Sequence, residues 1–146
     1  MDAPLVSTLV RKLHLNIRHR LLAELQTAGH RSLTAAHMYV FQSPGPDGVR
    51  PTELAARTNM TKQAMNHLLS GLERAGYLQR APAPDDGRGT VVYLTGQGRN
   101  VERIMREGSG KIERDWAKRL GHGRVEELRS IMRELDALET EIDPQP

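Results

Sequence analysis

Residues 52–74, TELAARTNMTKQAMNHLLSGLER, decide how the chain is read. The stretch divides into a short helix, a tight turn and a longer helix. Leu54, Ala55, Met60, Met65, Leu68, Leu69 and Leu72 supply the apolar set that locks the pair together. Met65, Leu68, Leu69 and Leu72 recur at helical spacing and share one stripe. Mostly off that stripe lie Thr61, Lys62, Gln63, Asn66, His67 and Ser70. An ordinary solvated helix face mixes Glu with Lys, whereas this one carries hydrogen-bonding groups and no carboxylate. A helix entering the DNA major groove needs such a face, because base edges are read by hydrogen bonds and a carboxylate near phosphate is repelled.

Immediately downstream the period changes. Tyr77-Leu78-Gln79-Arg80 and Thr90-Val91-Val92-Tyr93-Leu94 are short β-prone runs. The stretch between them, APAPDDGRG at 81–89, has too much Pro, Asp and Gly to continue either run. The expectation is a β-hairpin following a helix pair, which is the order of a winged helix. Arg88, flanked by glycines at the hairpin tip, is suited to a narrow minor groove, whose negative potential attracts it.

Upstream, Pro4 opens an amphipathic helix over 4–28, with Val6, Val10, Leu13, Ile17 and Leu21 on one stripe and Leu5, Leu9, Leu22 and Leu25 widening it. So broad an apolar band exceeds what one small core needs and predicts packing against a second subunit. Gly29 stops this helix. A second helix, capped by Ser32 or Thr34, runs to about Gln42, and the Pro- and Gly-rich loop SPGPDG at 43–48 leads to Pro51 in the first turn of the next. Thr61 caps the longer helix of the central pair, and Gly76 ends it.

Beyond the hairpin, Thr95 caps a long helix reaching about Leu120, with Val101, Ile104, Met105, Ile112, Trp116 and Leu120 at 3- and 4-residue steps. Gly108-Ser109-Gly110 interrupts it, permitting either a close helix crossing or a kink. After a turn at GHG, 121–123, the last helix covers 124–142. Its stripe is Val125, Leu128, Ile131, Met132, Leu135, Leu138 and Ile142.

Composition narrows the function classes. One domain is expected of 146 residues, and only 3% of them are aromatic, leaving little surface for stacking single-stranded bases. The absence of cysteine excludes disulfides, thiolate metal sites and thiol redox switches. Neither a signal-peptide pattern nor an apolar run of about 20 residues is present, so the expectation is a soluble cytoplasmic chain with no membrane association. Residues 50–99 hold seven cations against four anions, while the remainder carries 14 of each sign, so the whole net charge of +3 falls on the central segment. One subdomain facing a polyanion, with flanks doing something else, fits that distribution.

The order of elements, the stretch ELAARTNMTKQAMNHLLSGLERAGYLQR and the run DDGRGTVVYLTGQGR resemble the MarR family of bacterial winged-helix transcription regulators. The run matches the family's D-x-R … L-T-x-x-G pattern at Asp86, Arg88, Leu94, Thr95 and Gly98. The resemblance covers essentially the whole chain. It implies a mainly α (α+β) fold, a single domain over 1–146 with dimerisation helices at 4–28 and 96–142 and a winged helix-turn-helix at 32–94. It further implies a homodimer on a pseudo-palindromic duplex operator, acting as a repressor, with no catalytic role. Carried over by position, Thr61, Lys62, Gln63, Asn66, His67 and Ser70 become recognition-helix contacts, Arg88 the minor-groove contact and Asp86 the residue that orients it. A small-molecule effector, commonly phenolic or otherwise aromatic, is also implied, with His14, Arg18, His37, Phe41 and Trp116 as candidate lining residues.

Two alternatives stand beside this reading. A metal- or pH-responsive sensor would use the histidines, yet His14 and His19 are five apart, off the i, i+4 spacing of paired ligands, and His30 and His37 straddle a helix boundary. His122 falls in a turn, no HExxH, phosphate loop or Ser–His–Asp ordering stands out, and no cofactor is implied. A winged helix that binds protein is the other, and the carboxylate-free face from Thr61 to Ser70 argues against it.

Overall fold

The computed structural model describes residues 3–42, 48–84 and 88–142. Among these residues the elements are, in chain order, α1 (Val6–Thr27), α2 (Ala35–Phe41), α3 (Pro51–Arg57), α4 (Lys62–Arg74), β1 (Leu78–Pro82), β2 (Thr90–Leu94), α5 (Gly96–Leu120) and α6 (His122–Ile142). The chain forms two compact units, 1–108 and 109–146. Among the described residues no helix is long and apolar enough to cross a membrane.

In the first unit three helices end in the same way. Gly29, Asn59 and Gly76 each take a left-handed backbone, at φ +99°, +53° and +83°. The next amide then reaches back to a carbonyl of the last turn: His30 N–H to Leu25, Met60 N–H to Ala55 and Tyr77 N–H to Leu72, at 2.9–3.0 Å. This satisfies carbonyls that a helix end would otherwise leave open. Asn59 does it without being glycine, which its short polar side chain tolerates. The turn between α3 and α4 is thereby fixed from inside.

Leu54 and Ala55 on α3 and Met65, Leu69 and Leu72 on α4 are buried together with Leu21, Leu25, Met38, Phe41, Leu78 and Val92. Met60 and Leu68, expected in the same set, are only half-buried. Phe41 meets the Tyr77 ring edge-on, with centroids 5.8 Å apart. A polar chain, exposed at Arg103 and buried at His30, joins this core to α5. Arg103 donates to Asn100 Oδ1 at 2.7 Å, which turns Asn100 Nδ2 toward His30 Nε2 at 3.3 Å and leaves His30 Nδ1 to donate to the Tyr77 hydroxyl at 2.9 Å.

The hairpin is antiparallel with Leu78 opposite Leu94 and Pro82 opposite Thr90. The first strand therefore runs two residues further than the β-prone run predicts and begins one later. A proline is compatible with this place because the last residue of an edge strand needs no amide hydrogen. Val49, just before α3, exchanges two backbone hydrogen bonds with Val92, at 2.8 and 3.1 Å, so the hairpin gains a third, one-residue neighbour.

The second helix starts at Ala35 with Thr34, one of the two expected caps, as its N-cap. The last helix boundary differs from expectation: only Gly121, at φ +92°, breaks the chain between α5 and α6. His122 and Gly123 already belong to α6. The alternatives left open at Gly108 are decided by contact: the residue is buried within a continuous α5, and a Cβ there would lie 2.8 Å from Leu21 Cδ2. The glycine serves a close helix approach.

In the second unit Arg129 on α6 donates to Glu113 on α5 at 2.7 Å and to Glu126 at 3.3 Å. These hydrogen bonds, that of Glu113 first, hold the guanidinium above its ordinary range. Of the α6 stripe only Val125 is buried; Leu128 through Ile142 remain 39–75% exposed.

Candidate nucleic-acid interface

The longer helix of the pair starts where Thr61 Oγ1 accepts the Ala64 amide at 3.1 Å, a side-chain cap that leaves the first turn open to solvent. Thr61, Lys62, Gln63, Asn66, His67 and Ser70 are all exposed. The burial of Met65, Leu69 and Leu72 on the opposite stripe explains why: the apolar residues dock the helix, and the polar ones face out by default. Arg88 is exposed at the foot of the wing tip, next to Gly89 at φ +76°. Asp86 falls outside the described residues.

Two arginines missing from the expected site lie beside it. Arg50, the N-cap of α3, is brought beside the wing by the Val49–Val92 pairing, and a Cβ on Gly89 would come 2.9 Å from its NH1. Arg80, on β1, reaches back over α4. Its Nε donates to Glu73 Oε2 at 3.0 Å, NH1 to Asn66 Oδ1 at 3.2 Å, and NH2 to Ser70 Oγ at 3.2 Å and, more weakly, to the Asn66 carbonyl at 3.4 Å. One guanidinium thus collects Asn66, Ser70 and Glu73, three side chains stacked one turn apart. Their i, i+4, i+7 spacing is visible in the sequence, but a partner on the following strand is not. Glu73 is the first carboxylate after the polar run, and Arg80 neutralises it.

A MarR family model matches residues 42–89, the span of the helix pair, the first wing strand and the tip. In three dimensions the chain superposes on the reduced form of MarR from E. coli with a TM-score of 0.76, covering 92% of this chain and 98% of that one at 22% identity. The fold is that of the MarR winged helix. The family is one of transcription regulators, not of enzymes. The HTH-type transcriptional repressor YetL of Bacillus subtilis (strain 168) is 43% identical over 49 residues, which span 34% of this chain and 29% of YetL. The MarR-family protein Rv2887 of Mycobacterium tuberculosis, solved in complex with salicylic acid, is 27% identical with a TM-score of 0.62, covering 92% of this chain and 97% of that one.

Within the MarR framework the five candidate effector residues have different surroundings. Arg18 donates to the Tyr39 hydroxyl at 2.9 Å and stacks over the same ring, 4.6 Å from its centroid. His37 Nδ1 accepts the Thr34 amide at 2.9 Å in the first turn of α2. Phe41 is buried in the core, His14 is exposed and Trp116 is half-buried. Among the described residues no group of three or more His, Cys, Asp or Glu is gathered as metal ligands would be.

The His37 contact has a pH consequence. Burial lowers its pKa from the ordinary 6.5, and a proton on Nδ1 would abolish the bond to Thr34. The unfolded chain takes up a proton near pH 6.5 while the folded chain resists it, so the folded state loses stability as pH falls below that value. Thermal melts from pH 7.5 to 5 are expected to show a decline that His37→Gln flattens, since the amide oxygen accepts the same bond without titrating. An identical slope in the variant contradicts the assignment.

Proposed function

We propose that the chain is a sequence-specific duplex-DNA-binding transcription repressor that works as a homodimer on a pseudo-palindromic operator. The exposed α4 face carries the proposal: six hydrogen-bonding side chains from Thr61 to Ser70, with the neighbouring Glu73 charge cancelled by Arg80. Gln63, Asn66 and His67 are within reach of base edges, while Thr61, Lys62 and the open first turn suit phosphate. Arg88 enters the adjacent minor groove, oriented by Asp86. The exposed apolar residues of α1 and, separately, of α6 support pairing with a second copy. Two heads related by a two-fold axis read half-sites roughly 34–36 Å apart.

Residues 4–28 and 96–142 serve as the dimerisation helices and 32–94 as the DNA-binding head. A small aromatic or phenolic anion is the proposed releasing ligand, consistent with the salicylic acid bound by Rv2887. His14, Arg18, His37, Phe41 and Trp116 are its candidate contacts. Release requires that the ligand bind one head spacing more tightly than the other.

Selection of binding sites from random duplexes, followed by gel shifts with and without salicylate, tests the reading. Arg88→Ala is expected to weaken operator binding by about 1–3 kcal/mol with the melting curve unchanged. Wild-type affinity should fall with salt at a log–log slope of about −0.9 per phosphate contact. An undiminished affinity in Arg88→Ala overturns the wing assignment, and a salt-independent affinity overturns DNA binding by this face.

A further inference from the structure

Arg80 does more than neutralise Glu73. A guanidinium has only donors, so the Asn66 amide atom 3.2 Å from NH1 must be the oxygen, and the amide orientation is fixed by chemistry. Asn66 Nδ2 is left with no partner among the described residues and belongs to an exposed side chain. Ser70 is biased in the same direction: its oxygen accepts from Arg80 at 3.2 Å, so its hydrogen is the part left to offer.

We infer that Arg80 is a specificity-determining residue that converts Asn66 and Ser70 into donors, so that Asn66 reads an acceptor edge, guanine O6/N7 or thymine O4, and rejects adenine. The inference rests on the DNA-binding reading above and names what one part of that site recognises. The usual asparagine–adenine pair needs Oδ1 to accept from the N6 amino group while Nδ2 donates to N7. Here Oδ1 is engaged by a cation, and adenine's amino hydrogens would be brought up against that cation. Guanine presents two acceptors on the same edge, which attract both the Nδ2 hydrogens and the positive charge behind them. Ser70, one helical turn further along, extends the donor row. Arg80 itself need not touch a base; it acts through Asn66 as a positioning residue.

The test is selection from random duplexes with the full chain as wild type, Asn66→Ala, Arg80→Met and Arg80→Lys, followed by gel shifts on duplexes differing at one base step. Asn66→Ala should level the preference at one step of each half-site, identifying the step that Asn66 reads. At that step the wild type should favour guanine or thymine over adenine by at least about 5-fold. Both Arg80 variants should shift the ratio toward adenine by a similar factor while leaving other steps alone. Arg80→Lys is included because a point-charge ammonium still neutralises Glu73 but lacks the planar fork that holds Asn66 and Ser70 at once. Melting curves establish that at least this variant is folded. A general loss of affinity without a change of preference at that one step would make Arg80 merely structural and overturn the inference. So would a wild-type preference for adenine there. A wild type that selects no duplex overturns the DNA-binding reading itself, which is a different result from selecting the wrong base.

Discussion

Gly98→Ala is expected to destabilise the folded chain by about 3 kcal/mol, at the upper end of what overpacking costs, lowering the thermal midpoint by roughly 6–12 °C for a chain of this size. Gly98 sits in the first turn of α5 and is buried. A Cβ there would collide with the Tyr77 carbonyl oxygen and lie 3.2 Å from Leu94 Cβ and Cδ2. The carbonyl cannot simply move away. It accepts the Thr95 amide at 3.1 Å, Thr95 Oγ1 donates to the Gly76 carbonyl at 2.5 Å, and Gly98 N–H donates back to Thr95 Oγ1 at 3.3 Å. Displacing Tyr77 also pulls on its amide bond to Leu72, which closes the end of α4. The L-T-x-x-G run is therefore a knot that joins α4, the wing and α5. Gly96→Ala is the control: its Cβ meets nothing within 4 Å, and alanine in a helix is favoured over glycine by about 1 kcal/mol. Denaturant or thermal melts of the two variants decide the matter. Equal stability of Gly98→Ala and wild type refutes the packing argument.

That knot illustrates what the sequence could and could not reveal. Thr95 and Gly98 were legible as a cap and a pattern, because capping and glycine chemistry are local. Their shared neighbour, the Tyr77 carbonyl, lies far back along the chain and is no local fact, since it comes within reach only once the hairpin has closed. The same boundary separates the polar face of α4, read from helical spacing alone, from Arg80, which is assigned to that face only by the register that places β1 beside the helix. Boundaries failed where a weak former was overruled. Pro82 pairs with Thr90 because an edge strand's last residue needs no donor, and His122 and Gly123 join α6 because one left-handed glycine, Gly121, suffices for the turn. At Gly108 the sequence allows a kink or a close approach alike, and the Leu21 side chain packed against it selects the latter. The apolar excess on the terminal helices was legible for the opposite reason: it is a property of composition, and folding one copy leaves it exposed.

That excess leads to the second large effect, which concerns the pairing of two copies. Ile131→Glu with Leu135→Glu is expected to abolish the proposed pairing of two copies and to lower affinity for a selected duplex by about 10²–10⁴-fold, the advantage that linking two binding heads confers. Ile131 and Leu135 are 46% and 41% exposed on α6, in line with Leu128, Met132, Leu138 and Ile142. A lone surface leucine is unremarkable, but this row follows one face of one helix over several turns, which marks an interaction surface. Carboxylates placed in the middle of such a surface lose their water on pairing without gaining a partner, and association fails. Arg133→Glu introduces the same charge on the opposite side of the helix and should leave assembly and binding unchanged. Sedimentation gives the mass of each variant, and gel shifts give the affinity. Because paired chains can lose their fold when separated, the wild type supplies an independent measure: its melting temperature should rise with protein concentration. A concentration-independent melt in a wild type that sediments as a single chain rules out the pairing. A double variant that stays dimeric and binds as wild type moves the interface off this face of α6.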